Sequence, residues 1–125
     1  MKIVTFNTKK TTDKERYKEW SIRVRTRDNY ECQICRSTER SNAHHIIPRQ
    51  IKEWTFDVDN GITLCVKHHK FSRVCSAHNN PLAFFLWLAD HNTELFIIAC
   101  DRNTKMKEGL AKREIRQVAT RSTQD

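Results

Sequence analysis

The sequence has no apolar segment long enough to span a membrane. Its longest apolar run covers residues 82–89, whereas a bilayer-spanning helix needs roughly 20 apolar residues. The first ten residues, MKIVTFNTKK, also lack the apolar stretch of a secretory signal peptide. These absences argue against an integral membrane protein and predict a soluble, cytoplasmic protein without a membrane partner.

Glycine and acidic residues are scarce. The 125 residues include only two glycines, and 38% are hydrophobic, which predicts one modest core. No repeat or low-complexity linker marks a second domain, so we expect residues 1–125 to form a single domain. Lysine and arginine total 23 against 15 aspartates and glutamates, a formal net charge of +8. This excess favours an anionic partner, with nucleic acid as the first candidate.

Cysteine is present in an odd number. Five cysteines accompany six histidines in a chain without an export signal, a composition that favours metal binding over a disulfide framework. Because the core of so short a chain is modest, a structural zinc would add stability where packing is thin.

Two short motifs have the spacing of zinc-binding knuckles. Cys32 and Cys35 form the first, Cys65 and His68 form the second, and 29 residues separate them. A gap of two residues lets both side chains of a tight turn reach one tetrahedral zinc. A single CxxC motif would fit a redox pair equally well, but two such pairs favour a closed Cys₃His site. Two residues are alternatives to its last ligand, namely His69 and Cys75.

Helical periodicity predicts helices at both ends of the chain. The first covers residues 11–29, and its apolar face consists of Tyr17, Trp20 and Val24. Near the other end, Asn80-Pro81 is a typical helix start. The apolar residues of this second helix occupy nearly all its sides, which fits either core packing or a homodimer contact.

The middle of the chain predicts two strands and a short helix. The strands are NAHHIIP, which Pro48 stops, and ITLC, which follows the turn signal Asn60-Gly61. VKHHKFSRV then starts a helix with His68 and His69 on its first turn. ELFIIAC is predicted to be another strand, and residues 104–125 a basic, interrupted helix that frays into a polar tail. Three cations of that helix fit phosphate contacts or a solvated face: Lys112, Arg113 and Arg116.

The adjacent histidines of AHHI raise the question whether they share one metal. Neighbouring residues of a strand point to opposite sides, so His44 and His45 cannot chelate one ion together. A zinc that pins the two strands to the following helix would let His69 face the first strand. The pattern therefore predicts one of the pair at a second metal with His69, and the other available for different chemistry.

The string from RDNYECQIC through AHHIIP to DNGITLCVKHH resembles the HNH endonucleases, roughly over residues 17–71. The resemblance implies an α+β fold with a small ββα-metal core, a structural zinc, an N-terminal helix and a C-terminal extension of helix, strand and basic tail. It also implies that His44 and His69 bind one catalytic divalent cation. By the same resemblance, His45 is the general base and Asn60 steadies the loop and the base.

Two departures from the family pattern concern the metals. His68 stands where many relatives have a fourth zinc-binding cysteine, and His44 stands where many have a carboxylate. The family implies Mg²⁺ or Mn²⁺ as the catalytic cation. Because imidazole suits Mn²⁺, Ni²⁺, Co²⁺ or Zn²⁺ better than Mg²⁺, these metals are the alternatives.

The predicted function is metal-dependent hydrolysis of DNA in a bacterial or phage-infected cell, with a phage or mobile-element, homing-type nuclease as the preferred setting. The catalytic core is expected at about residues 17–75, and a DNA-binding or dimer-forming extension at about residues 80–125. The alternative is a non-catalytic, zinc-dependent nucleic-acid-binding module. One active site cuts one strand, so a double-strand cut needs a homodimer or two visits.

The roles of several flanking residues follow from this prediction. Candidate DNA contacts, which are ordinary surface charges on the competing interpretation, are Arg49, Lys67 and Lys70. Trp54 and Phe56 are expected to pack beneath the site, with stacking on a base as the alternative. The residues expected to lie outside the site are His78 and His91 at the surface, and Cys75 and Cys100 as small packing residues.

Overall fold

A computed structural model describes residues 11–122, with side chains up to residue 118. Its elements are helix α1 (Asp13–Arg27), strand β1 (Ser41–His45), strand β2 (Gly61–Cys65), a short π-helical turn (Lys67–Phe71), helix α2 (Pro81–His91) and helix α3 (Thr93–Ser122). The predicted order of helix, strand, strand and helix is confirmed, and the fold is a small α+β arrangement. Residues 1–10 and 123–125, which include the end of the predicted polar tail, lie outside the described residues.

Helix α1 forms where the apolar periodicity predicted it. The hydroxyl of Thr12 accepts a hydrogen bond from the backbone N–H of Glu15 at 3.2 Å and caps the first turn. Trp20 and Val24 are buried. At the other end, the buried carboxylate of Asp28 accepts the backbone N–H of Thr63 at 2.9 Å. These contacts fasten α1 to one face of the β-hairpin.

The two strands form an antiparallel hairpin in which His45 pairs with Gly61 and Ser41 pairs with Cys65. β1 ends at His45, so the prediction that it continues to Pro48 is wrong. The side chain of Asn60 hydrogen-bonds both backbone groups of Ile47, and these groups are therefore not free to extend the ladder.

The Asn-Gly signal predicted that Gly61 is a turn residue, and this prediction is wrong. It has φ −129°, which any residue adopts, and it is the first residue of β2. A Cβ at this position would lie 2.4 Å from Cγ2 of Val24 and 2.7 Å from Cζ2 of Trp20. The glycine is therefore required by the close approach of α1.

The hairpin lies between α1 and the α2–α3 pair. On the face opposite α1, Ile62 and Leu64 of β2 join a buried cluster. Its members from the last two helices are Phe84, Leu88 and Leu95. Because alternate residues of a strand face opposite sides, this sandwich places His44 toward α2 and His45 toward α1.

The predicted strand ELFIIAC is wrong, because residues 94–100 form the start of α3. The side chain of Asn92 accepts the backbone N–H of Leu95 at 3.2 Å and caps the helix. Leu95 is buried, and Phe96 and Ala99 pack against the same cluster. Leu95, Phe96 and Ala99 are one, three and four residues apart, so they lie on one face of a helix. The packing of this face on the core outweighs the β-propensity of LFII.

Helix α3 continues to Ser122, so its predicted interruption is also wrong. Gly109 costs a helix only about 1 kcal/mol relative to alanine, and a single such cost does not break 30 residues of helix. Helix α2 packs through Phe84 and Leu88, but Leu82 and Leu86 stay 70% and 60% exposed. Within residues 11–122, none of the helices is both long and apolar enough to cross a bilayer.

Candidate metal and catalytic centre

The four side chains of the two predicted knuckles converge on one point. Sγ of Cys35 lies 3.7 Å from Sγ of Cys65, and Nδ1 of His68 lies 3.3 Å from Sγ of Cys65 and 3.6 Å from Sγ of Cys32. With bonds of about 2.3 Å to sulfur and 2.0–2.1 Å to nitrogen, ligands of a tetrahedral zinc lie about 3.6–3.8 Å apart. The cluster is therefore consistent with a structural zinc, and neither His69 nor Cys75 belongs to it.

Local backbone geometry builds the first knuckle. The N–H of Arg36 donates to the carbonyl oxygen of Cys32 at 2.7 Å, and Arg36 has φ 65°. The N–H of Gln33 donates to the carbonyl oxygen of Thr63 and joins the knuckle to β2. Burial raises the pKa of the Cys32 thiol to about 11. A nearby cation would stabilise its thiolate, as a zinc ligand requires.

A second cluster consists of three histidines from three separate segments. The ring centroid of His44 on β1 lies 5.0 Å from that of His69 on the π-helical turn and 5.2 Å from that of His78. Nε2 of His69 and Nε2 of His78 are 3.0 Å apart. Two imidazole nitrogens at 2.0–2.1 Å from one cation lie about 3.0–3.4 Å apart, so these residues fit a divalent cation.

The three-histidine cluster favours the neutral imidazole that metal binding requires. Burial, together with the neighbouring histidines, lowers the pKa of His44 to about 3. Burial and the adjacent His78 lower the pKa of His69 to about 4. Nδ1 of His69 is also buried without a hydrogen-bond partner among the described residues. At neutral pH both rings can therefore present a lone pair.

His78 is the residue that sequence reasoning missed. It is exposed, as expected, but the loop after the π-helical turn folds back and places its ring in the cluster. The N–H groups of Ala77 and His78 donate to the carbonyl oxygens of His68 and His69 at 2.9 and 3.0 Å. A separation of nine residues has no helical or strand period, so no signal in the sequence marked it. His91, in contrast, is a surface residue beside Trp87, as expected.

His45 points away from the three-histidine cluster, as strand alternation predicted. Its Nε2 lies 2.9 Å from the carbonyl oxygen of Thr55. A carbonyl oxygen only accepts, so Nε2 donates, and Nδ1 of the neutral ring keeps the lone pair. Burial lowers the pKa of His45, with the charge of Arg49 acting in the same direction and the Thr55 bond opposing it. The ring is therefore available as a proton acceptor at neutral pH.

Asn60 holds the backbone that follows His45. It is buried, its Oδ1 accepts the N–H of Ile47 at 2.8 Å, and its Nδ2 donates to the Ile47 carbonyl oxygen at 3.0 Å. Its own carbonyl oxygen accepts the N–H of Ile46 at 3.0 Å. These three bonds join Asn60 to the backbone of Ile46 and Ile47.

A cleft of about 760 Å³ contains His45 and the three-histidine cluster. Arg49 and Lys70 line it, whereas Lys67 does not. Lys67 acts on the zinc cluster instead, since its charge adds to burial in lowering the pKa of His68. The structure thus brings two of the three predicted DNA contacts to the cleft.

Two aromatic residues of the segment between β1 and β2, residues 46–60, pack against the guanidinium groups of arginines. The guanidinium of Arg16 lies 3.9 Å above the ring of Phe56, which also contacts Tyr17. That of Arg102 lies 5.6 Å from the ring of Trp54. Both rings therefore take part in packing contacts within the protein.

A β-hairpin followed by a short helix, with a Cys₃His cluster on one side and histidines on the other, is consistent with the ββα-metal core of a nuclease. Comparison with protein families supports this class, because residues 32–71 match the HNH endonuclease family. The members of that family are phosphodiester hydrolases that act on DNA. No curated protein and no solved structure matches the chain. The match begins at Cys32, so α1 and His78 lie outside it.

Proposed function

We propose that this protein is a DNA endonuclease that uses one catalytic divalent cation, with His45 as the general base and Asn60 as the residue that steadies it. The supporting observation is the cleft itself. It is lined both by the cluster of His44, His69 and His78 and by His45, whose Nε2 is already occupied by Thr55. A structural binding module would not require a free imidazole nitrogen beside an independent metal cluster.

The two metal clusters would have different tasks. The Cys₃His cluster supplies four protein ligands and leaves no open position, so a zinc there is structural. The three histidines leave positions for substrate, and a divalent cation there would neutralise the phosphate charge and stabilise the leaving oxygen. Three imidazoles without a carboxylate favour Mn²⁺, Co²⁺, Ni²⁺ or Zn²⁺ over Mg²⁺.

The proposed chemistry is a single displacement at phosphorus. Nδ1 of His45 accepts a proton from water as the water oxygen bonds to phosphorus, and the bond to the 3′ oxygen breaks. The 3′ oxygen gains a proton from solvent, which leaves 5′-phosphate and 3′-hydroxyl ends. Arg49 and Lys70 at the cleft would bind neighbouring phosphates.

A plasmid-cleavage assay tests the assignment of the base. Supercoiled plasmid is incubated with the zinc-loaded protein and Mg²⁺, Mn²⁺, Co²⁺, Ni²⁺ or Zn²⁺. We expect cleavage by the native protein and a loss of about 10²–10⁴-fold for His45→Ala, with zinc content and DNA affinity retained. His91→Ala is the matched control, because His91 is exposed on α2 and outside both clusters. An intact plasmid with every cation would favour the binding module.

A calorimetric titration tests the place of His78 in the cation site. With the structural zinc retained, we expect His78→Ala to weaken the binding of Ni²⁺ or Co²⁺ at least about tenfold, within the 10–100-fold range of losses typical even for residues that only support a metal site. His91→Ala should leave the affinity unchanged. Equal affinity in His78→Ala and native protein would exclude His78 from the ligand set.

The biological setting that we propose is a phage or mobile-element, homing-type nuclease acting in the cytoplasm of a bacterial cell. It is supported by a compact nuclease core joined to a long helix that exposes Lys112 and Arg113. On this proposal one domain carries both the core and the DNA-contacting extension. Sequencing the ends of cleaved random DNA should reveal a long preferred site. Linear product formed from supercoiled plasmid without a nicked intermediate would point to a homodimer, whereas two visits would pass through the nicked form.

A further inference from the structure

The base proposed above is held by an aromatic ring from outside the matched segment. The imidazole of His45 stacks on the indole of Trp20, with centroids 3.8 Å apart and planes inclined by 7°. The ring of Tyr17 contacts the same imidazole edge-on, with centroids 6.0 Å apart. His45 therefore has one face covered by α1, in addition to its hydrogen bond with Thr55.

The position of the indole is itself determined by two contacts. Nε1 of Trp20 donates to the carbonyl oxygen of Asp57 at 2.8 Å, in the same segment between β1 and β2 that supplies the Thr55 carbonyl. The edge of the indole lies against Gly61, where a Cβ would come within 2.7 Å of it. Gly61 is also the hairpin partner of His45. The base and the ring that covers it are thus fastened to the same end of the hairpin.

The hydrogen bond from Nε2 leaves the imidazole one important freedom. The imidazole is joined to the backbone through its Cβ–Cγ bond, and with one hydrogen bond at Nε2 the ring can still tilt and carry Nδ1 away from the attacking water. A parallel stack at van der Waals distance opposes this tilt, because tilting would lose contact over the whole ring face. Bond and stack together determine where the lone pair of Nδ1 points.

We propose that Trp20 is a positioning residue for catalysis, which orients Nδ1 of His45 toward the attacking water, and that Gly61 is glycine because the helix that carries Trp20 and Val24 lies this close to it. The inference rests on the proposed role of His45 as the base. It assigns a catalytic purpose to α1, a helix that the family match does not include. Misplacement of a reacting group by about 1 Å can cost about 10²-fold in rate, which sets the size of the expected effect.

Steady-state cleavage of a labelled DNA duplex by zinc- and cation-loaded full-length protein tests the proposal. We expect Trp20→Leu to lower kcat about 10–100-fold with KM changed less than about threefold, because phosphate binding does not use the indole. Trp20→Phe keeps an aromatic face and should recover most of kcat. The matched control is Trp87→Leu, which removes a half-buried indole without a contact to His45 and should change kcat less than about threefold.

A structural readout separates positioning from general destabilisation. The ring protons of His45 lie over the indole of Trp20. The ring current of the indole should therefore shift the NMR signals of these protons upfield, both in the native protein and in Gly61 variants that keep the stack. We expect the upfield shift to vanish in Trp20→Leu and to become smaller in Gly61→Ala. The value of kcat should fall further in Trp20→Leu than in Gly61→Ala. If Trp20→Leu fails to fold, Trp20→Phe takes its place in the experiment and should show an intermediate upfield shift of the His45 ring protons.

Two results would overturn the inference. One is a folded Trp20→Leu or Gly61→Ala protein that loses the upfield shift and keeps native kcat. The other is a fall in kcat that Trp20→Phe does not relieve although it restores the shift. His45→Ala separates these from a failure of the proposed function: if that variant cleaves as well as native protein, the base assignment itself is wrong. If His45→Ala is inactive and Trp20→Leu is fully active, only the role of Trp20 fails.

Discussion

Replacing Asn60 by alanine should destabilise the protein out of proportion to the size of the change. The amide of Asn60 satisfies both the N–H and the carbonyl oxygen of Ile47, at 2.8 and 3.0 Å, in a buried place. Each buried backbone group left without a partner costs about 1–3 kcal/mol. We therefore expect Asn60→Ala to lower the free energy of unfolding by about 2–6 kcal/mol, a large part of the 5–15 kcal/mol typical of a small domain.

The same change should affect cleavage under conditions in which the variant stays folded. His45 is followed directly by Ile46 and Ile47, and both side-chain hydrogen bonds of Asn60 that alanine would remove are made to the backbone of Ile47. Freeing that segment should let His45, the proposed general base, move, so kcat should fall while zinc added to the protein stays bound.

Urea unfolding of zinc-loaded protein, followed by circular dichroism, measures the stability change. Asn42→Ala is the matched control, because Asn42 is exposed on β1 and its side chain makes only a 3.5 Å contact with the carbonyl oxygen of Arg40. It should cost less than about 0.5 kcal/mol. A loss below 1 kcal/mol in Asn60→Ala, equal to that of the control, would refute the argument from unsatisfied backbone groups.

Three further predictions concern other parts of the molecule. Removal of zinc by a chelator should unfold the hairpin and the π-helical turn, because the Cys₃His cluster joins β2, the first knuckle and that turn; an unchanged circular dichroism spectrum after complete zinc release would contradict this. Arg49→Ala and Lys70→Ala should each weaken DNA binding and reduce the slope of log affinity against log salt by about one. Lys67 lies outside the cleft, so Lys67→Ala should change neither quantity. Equal slopes in all three variants would contradict a special role of the cleft residues. Arg36→Gly should raise the midpoint of urea unfolding, because φ 65° costs a non-glycine residue about 1–2 kcal/mol, and an unchanged midpoint would show that no strain is stored there.

Features that depend on a few consecutive residues were predicted correctly from the sequence. The zinc cluster is the clearest case, because a gap of two residues confines each ligand pair to one turn whatever the rest of the chain does. The opposite directions of His44 and His45 follow from strand alternation alone. The helix start at Asn80-Pro81, with Asn80 as its capping residue, was found for the same reason.

Features that depend on packing between distant segments were missed or mistaken. ELFIIAC has the composition of a strand, yet Leu95 and Phe96 find their core contacts on a helical face. His78 reaches His69 only because a loop folds back through backbone hydrogen bonds, which any residues can make. Gly61 was interpreted as a turn residue, although its reason is the approach of α1.

The sequence by itself therefore determined the chemistry available to the protein: a Cys₃His zinc cluster, paired histidines on a strand and a basic surface. Only the tertiary structure decided how that chemistry is arranged. It brought His78 beside His44 and His69, paired one nitrogen of His45 with the Thr55 carbonyl oxygen and stacked Trp20 on one face of the His45 ring. The reason is physical. Residue types and local spacing define which groups can react, whereas the distances between these groups depend on contacts between distant segments, which form only when the whole chain folds.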